Sequence, residues 1–118
     1  FFILHCVSSY PLEYKNSNFE NFFYLKDNFK NVGYSGHALG INDAIYALSH
    51  GAKIVEKHFT IDNNLEGRDN KFAILPKELK FICDFEKDIK NMEIKHGLDL
   101  QIKENEVYKN YRGRFKKN

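Results

Sequence analysis

Residues 51–60 read GAKIVEKHFT, and the way this stretch divides decides what kind of fold the chain builds. Ala52 to Val55 has the short, β-branched character of a buried strand, and three ionisable side chains, Glu56, Lys57 and His58, follow at once. A buried strand that ends in charge is what a parallel α/β sheet produces, because ligands bind at the carboxyl ends of its strands. Period-two alternation points Glu56 and His58 to one side and Lys57 to the other.

Working outward, two more short apolar runs occur at Phe1 to Val7 and Asn31 to Tyr34. Between them, Asn18 to Phe29 spaces Phe19, Phe22, Phe23, Leu25 and Phe29 for a helix with Asn18 as its N-cap. Asn42 to Ser49 repeats the pattern with Ala44, Ile45, Ala47 and Leu48, and Gly51 after His50 supplies the terminating glycine. A third helix is predicted after Leu75, with Pro76 in its first turn and an apolar stripe of Leu79, Phe81, Ile82, Phe85 and Ile89. The order βαβαβα implies parallel strands joined by right-handed crossovers. Three strands do not close a sheet, so the candidates are a small open α/β domain or a segment of a (β/α)₈ barrel, a fold that needs about 250 residues. From Leu98 the apolar period is lost and the chain reads as a polar linker.

At 118 residues the chain is one domain at most, and 42% hydrophobic with 29% charged residues is the composition of a soluble globular protein. No apolar run is long enough to span a bilayer, so no membrane partner is expected. The opening FFILHCV lacks a basic leader and a cleavage site, and with Phe rather than Met at position 1 it reads as a strand met in mid-fold. Cys6 and Cys83 are too few for a disulfide framework, which fits a reducing cytoplasm. The net charge is +2, and the terminal KNYRGRFKKN carries Lys and Arg without any acid. That tail raises a nucleic-acid reading; the even mixing of signs elsewhere favours a solvated terminus and no nucleic-acid partner.

Each predicted strand runs into a polar cluster: HCVSSYP at 5–11, GYSGHALG at 33–40 and EKHFTIDNN at 56–64. His37 and His58, from adjacent strand ends, suit joint ligation of one divalent ion that polarises a carbonyl. Ser8 and Ser35 suit phosphate or carboxylate oxygens, and Glu56 or Lys57 suits a charged partner or a proton transfer. The long loop before Pro76 carries LEGRDNKF, where Gly67 gives a turn and Arg68 and Asp69 offer a cation and a hydroxyl-binding carboxylate. Each has a structural alternative: hydrogen-bonded structural histidines, a solvated Glu56–Lys57 ion pair, and Asp69 as a turn cap. Tyr10 and Tyr34 equally read as packing aromatics with one wet end, His5 as a satisfied core histidine, and His50 and His96 as cations in helix C-terminal turns.

The motifs HCVSSYP, GYSGHALG, GAKIVEKHFT and GRDNKFAILPKELK, in this order and spacing, together resemble the carboxyl-terminal part of the catalytic barrel of the sialic acid synthase family, which includes the enzymes that make N-acetylneuraminic, legionaminic and pseudaminic acids. The resemblance covers about residues 3 to 90. It implies that residues 1–97 hold about strands six to eight of a (β/α)₈ TIM barrel, and that residues 98–118 form a linker toward a small antifreeze-like domain. The family condenses phosphoenolpyruvate with an N-acylated mannosamine-type sugar to a nine-carbon 2-keto acid and phosphate, using Mn²⁺ or Mg²⁺. By this resemblance His37 and His58 are the metal ligands. Glu56, beside them, and Tyr10, lining the sugar pocket, are the expected catalytic side chains. Ser8, Tyr10, Ser35 and Asp69 bind the substrates. Where many members read YSDH this chain has Gly36, which removes a carboxylate near the metal, and Ser8 replaces an Asn that contacts phosphate in some. The resemblance leans toward the legionaminate branch and implies a cytoplasmic protein, homodimeric at full length. The alternative is a non-catalytic barrel remnant that binds a partner through its uncovered edges.

Overall fold

The structure, a computed structural model, describes residues 1–111. Strand β1 (Ile3–Cys6), helix α1 (Phe19–Asn28), strand β2 (Val32–Gly36), helix α2 (Asn42–Ser49), strand β3 (Val55–Lys57) and helix α3 (Pro76–Met92) follow in the expected alternation, and α4 (Asn105–Tyr111) comes after them. The strands form one parallel sheet in the order β1-β2-β3. Cys6 pairs with Ser35 and Ser35 with Glu56, so the three carboxyl ends lie level.

Strand limits differ from the apolar runs that foretold them. β2 continues through Ser35 and Gly36, and β3 starts at Val55 and includes Glu56 and Lys57, because the ladder runs as far as a neighbour is present to pair with. Ala52 and Lys53 instead donate to the carbonyls of Ala47 and Val32 as the chain turns out of α2. Gly51 closes that helix with φ +87°, as a C′ glycine does.

Helices cover one side of the sheet. Phe22, Val32, Tyr34, Ala47 and Ala52 form one buried cluster, and Ala44, Leu48, Ile74 and Ile82 form a second beneath α3. His5 is the expected core histidine: it is 2% exposed, its Nε2–H donates to the Ser17 carbonyl at 2.7 Å, and its Nδ1 accepts from Asn21 at 3.3 Å. Four other expectations are corrected. Asn18 sits before α1 with φ 49° and makes no side-chain cap. On α3 only Ile82 is buried while Phe81 is 55% exposed, because position 81 falls on the solvent side of the stripe that Ile82, Phe85 and Ile89 define. His96 lies beyond the end of α3, in irregular chain. Tyr34 has no wet end, being fully buried with its hydroxyl donating to Asp43 Oδ2 at 3.0 Å.

The expected linker from Leu98 contains a turn at Ile102–Glu104 and the short helix α4. Gln101 N–H is capped there by Glu104, a local signal that lacks the apolar period of a packed helix. The basic-tail reading falls for the most part on residues 112–118, which lie outside the described residues.

Burial raises the Tyr34 phenol above its ordinary value, and the adjacent Asp43 charge and the hydrogen bond to it act in the same direction. The group is protonated in both states below the unfolded value of about 10 and ionises first in the unfolded chain above it, so its contribution is complete below pH 10 and is lost as pH rises further. Urea unfolding of the chain should therefore show stability falling above about pH 10, with a shallower fall in Tyr34→Phe and a loss of about 1.5–3 kcal/mol at neutral pH from the missing charged hydrogen bond. In the same assay Phe22→Ala should cost about 3–5 kcal/mol, whereas Phe81→Ala should change stability by less than about 0.5 kcal/mol.

Candidate active site

The level strand ends bring four of the expected residues into one group. Tyr10, beyond β1, sets its ring 4.2 Å from the ring of His37, beyond β2, and 5.9 Å from that of His58, beyond β3. The two imidazoles are 5.4 Å apart, centre to centre. Asp69 reaches back from the long loop to place Oδ2 3.8 Å from His58 Nδ1, an ion-pair separation and not a hydrogen bond. It heads the turn Asn70–Phe72, where its carbonyl accepts from Phe72 N–H at 3.1 Å and its side chain makes no cap.

His37 is buried and its orientation is fixed. Its Nδ1–H donates to the Val7 carbonyl at 2.8 Å, which leaves Nε2 as the nitrogen with a free lone pair. The His37 backbone carbonyl in turn accepts from Leu12 N–H at 2.9 Å, tying the end of β2 to the loop after β1. His58 is half-buried, and its own carbonyl accepts from Ile74 N–H at 2.8 Å, which pins the returning loop beside the strand end.

Ser35 and Glu56 occupy the same rung, one layer deeper in the sheet. Ser35 Oγ–H donates to Glu56 Oε1 at 2.8 Å. By alternation they share a side of the sheet with His37 and His58. Ser8 stands apart from that rung: with Ser9, Tyr10, Arg68, Asp69 and Phe72 it lines a cavity of about 550 Å³ beside the histidines. The expected residues thus divide into a cavity wall of Ser8, Tyr10 and Asp69, a histidine pair, and a Ser35–Glu56 pair below.

Lys57 points away from Glu56 and His58, as alternation implies, and finds its charged partner within the fold. Its side chain is 3% exposed, and its ammonium donates to Asp43 Oδ1 at 2.9 Å, to Asp43 Oδ2 at 3.2 Å and to the Ala38 carbonyl at 2.7 Å. The solvated Glu56–Lys57 pair is therefore not formed; adjacent residues of a strand point to opposite faces. A side chain at position 36 also points to this outer side, since a Cβ there would lie 2.3 Å from Asp43 Oδ2. What Gly36 leaves room for is the Asp43 carboxylate, and an acid at that position would face Asp43 and not the histidines. Asp43 itself was not anticipated as more than a first-turn residue of α2, and nothing in its local sequence marks Lys57 as its partner.

Among the described residues no three His, Cys, Asp or Glu side chains group closely enough to hold a metal ion by themselves. The donors assembled here are the two imidazoles, with Tyr10 and Asp69 at their margins. Among the described residues, too, no helix is long and apolar enough to cross a membrane.

Known proteins are similar to this chain in sequence and fold. N,N'-diacetyllegionaminic acid synthase of Campylobacter jejuni is 44% identical over 82 residues, 69% of this chain and 25% of that protein. N-acetylneuraminate-9-phosphate synthase of Drosophila melanogaster is 44% identical over 80 residues, 66% of this chain and 22% of that protein. The crystal structure of N-acetylneuraminic acid (sialic acid) synthetase from Leptospira borgpetersenii superposes with a TM-score of 0.77 at 34% identity, covering 98% of this chain and 41% of that one. The chain spans about a quarter of the length of the curated relatives it matches. Residues 1–98 match the model of the NeuB family, and with an α/β fold of three parallel strands and that match across most of its length, the chain belongs to the NeuB family.

Proposed function

We propose that this chain supplies about strands six to eight of the catalytic TIM barrel of a nonulosonic acid synthase, which condenses phosphoenolpyruvate with an N-acylated mannosamine-type sugar. The observation that carries this reading is the meeting of Tyr10, His37, His58 and Asp69 at the carboxyl ends of three level parallel strands. That edge is where barrel enzymes assemble their chemistry. The relatives are synthases of legionaminic and neuraminic acids by name, which supports the substrate class.

A divalent ion such as Mn²⁺ or Mg²⁺ fits the histidine pair, because His37 turns Nε2 outward by committing Nδ1 to Val7. When bound, such an ion supplies Lewis-acid polarisation of a carbonyl. His37 and His58 would hold such an ion. The chain's own groups do the rest. Asp69 accepts from sugar hydroxyls at the cavity wall, and the Tyr10 ring gives the sugar a flat face to lie against. Ser8, Ser9 and Arg68 present donors to anionic oxygens of the substrates. Glu56, held by Ser35, is placed to take or give a proton on the histidine side of the sheet. The exposed thiols Cys6 and Cys83 suit a reducing cytoplasm. Homodimer formation by the full-length protein belongs to this reading through the family resemblance alone.

The uncovered side of the sheet fits a barrel segment. Ile54 is 43% exposed there, and Cys6 and Glu56 on the same side are exposed as well. In a complete barrel that side is the packed interior. A partner-binding remnant without catalysis draws on the same face, and it predicts a chain that associates stably with another protein yet binds no metal at the histidines.

Titration calorimetry of the chain with Mn²⁺ should show binding that weakens by about tenfold or more in His37→Ala and in His58→Ala, with Phe81→Ala unchanged; equal affinities across all four proteins would remove the metal reading. Mixed with phosphoenolpyruvate, N-acetylmannosamine and Mn²⁺, the 118-residue chain should release no phosphate, because the family resemblance implies that the lysines that bind phosphoenolpyruvate come from earlier strands of the barrel. Sustained turnover by the pure chain would overturn the segment reading.

A further inference from the structure

Of the two lysines of the opening motif, neither used by the proposed chemistry, Lys53 is exposed and Lys57 is enclosed. Its ammonium has three donors, and the structure gives each a partner: both oxygens of Asp43 and the carbonyl of Ala38. Asp43 is itself saturated, accepting from Tyr34 Oη at 3.0 Å and from Ala44 N–H at 2.9 Å. Among the described residues no buried side-chain nitrogen or oxygen lacks a partner, so the network has no spare capacity for a ligand.

Its connections are what set it apart from an ordinary buried pair. Ala38 is the residue after His37, and Lys57 is the residue before His58. The Lys57–Ala38 hydrogen bond therefore joins the two strand ends one residue away from each imidazole, on the opposite side of the sheet. Asp43 anchors that junction to the first turn of α2, and Tyr34 anchors Asp43 to the middle of β2. Gly36 is part of the device: the space its missing Cβ leaves is filled by the Asp43 carboxylate.

We propose that Lys57, Asp43 and Tyr34 act as positioning residues that set the spacing and ring orientation of His37 and His58. The proposal rests on the reading of those histidines as the site's ligand pair, but its geometric content stands without a metal. Removing Lys57 alone strands a buried carboxylate and unfolds the chain for trivial reasons. Replacing the whole network by apolar groups of similar size, Tyr34→Phe with Asp43→Leu and Lys57→Met, keeps the volume and removes the charge, an exchange that folds tolerate.

The test compares this triple variant with the parent chain by two readouts. The first is the ¹⁵N spectrum of the imidazoles without metal. The parent should show His37 as a single tautomer protonated at Nδ1, and the folded triple variant should show mixed tautomers as the His37–Val7 hydrogen bond loosens. The second is Mn²⁺ affinity, expected to fall about tenfold or more in the variant. A folded triple variant with the parent's His37 tautomer overturns the proposal, whatever the metal does. Altered tautomers with no Mn²⁺ binding by either protein uphold the positioning role and instead sink the metal reading. Should the triple variant not fold, Gly36→Ala serves in its place, since its Cβ displaces the Asp43 carboxylate with all charges kept; an unchanged His37 spectrum there overturns the proposal equally.

Discussion

Everything at the candidate site depends on the level register of three parallel strands. Cys6, Ser35 and Glu56 form one rung, so the residues that leave each strand do so at the same height. Parallel direction is what makes this matter: with β2 and β3 antiparallel, His37 and His58 would emerge at opposite edges. A slip of one residue would be as damaging, because alternation would turn His58 outward and bring Lys57 to the site. The register is held where slipping is costly, by Tyr34 and Val32 buried against α1 and by Gly33, whose missing Cβ lets Ile54 and Leu4 close over it.

The same alternation sorts by task the three ionisable residues that end the opening motif's strand. Glu56 and His58 face the side of the sheet that, among the described residues, no helix covers, and Lys57 faces the side that α2 does. The uncovered side is polar toward the strand ends, where Ser35, Glu56 and the histidines lie, and apolar further down, where Ile54 and Leu4 lie. An isolated open sheet would be expected to cover such a side with a helix layer. Membership of a family whose matched relatives are about three times as long accounts for the bare side without invoking an unusual fold.

What the sequence made legible follows from how local each cause is. The order of elements, the Pro76 start of α3 and the Gly51 end of α2 rest on neighbours within a turn, and those were readable. Strand limits depend on which backbone lies alongside, so Ser35 and Gly36 joined β2 and Ala52 dropped out of β3 for reasons no window contains. The convergence of His37 with His58 was legible because parallel strands must end together; the Val7 carbonyl that orients His37 was not, since a backbone acceptor carries no side-chain signature. Asp43 was the least legible of all. It reads as an ordinary acid in a helix first turn, and its partner Lys57 lies on another element; alternation tells which side of the sheet Lys57 takes but not what it meets there.

Energy alone gives no reason for that pair to be ionic. Bringing two charges into a protein interior costs several kcal/mol each before their attraction is counted, and an apolar pair of equal volume would commonly hold α2 against the sheet as well. An apolar pair has no directional demand, however, and would leave the Ala38 carbonyl to find its own partner. The ammonium at Lys57 makes three directed bonds at once, two to the first turn of a helix and one to the chain just beyond His37. Such a group contributes little to how stable the segment is and a great deal to which arrangement of its strand ends is the stable one.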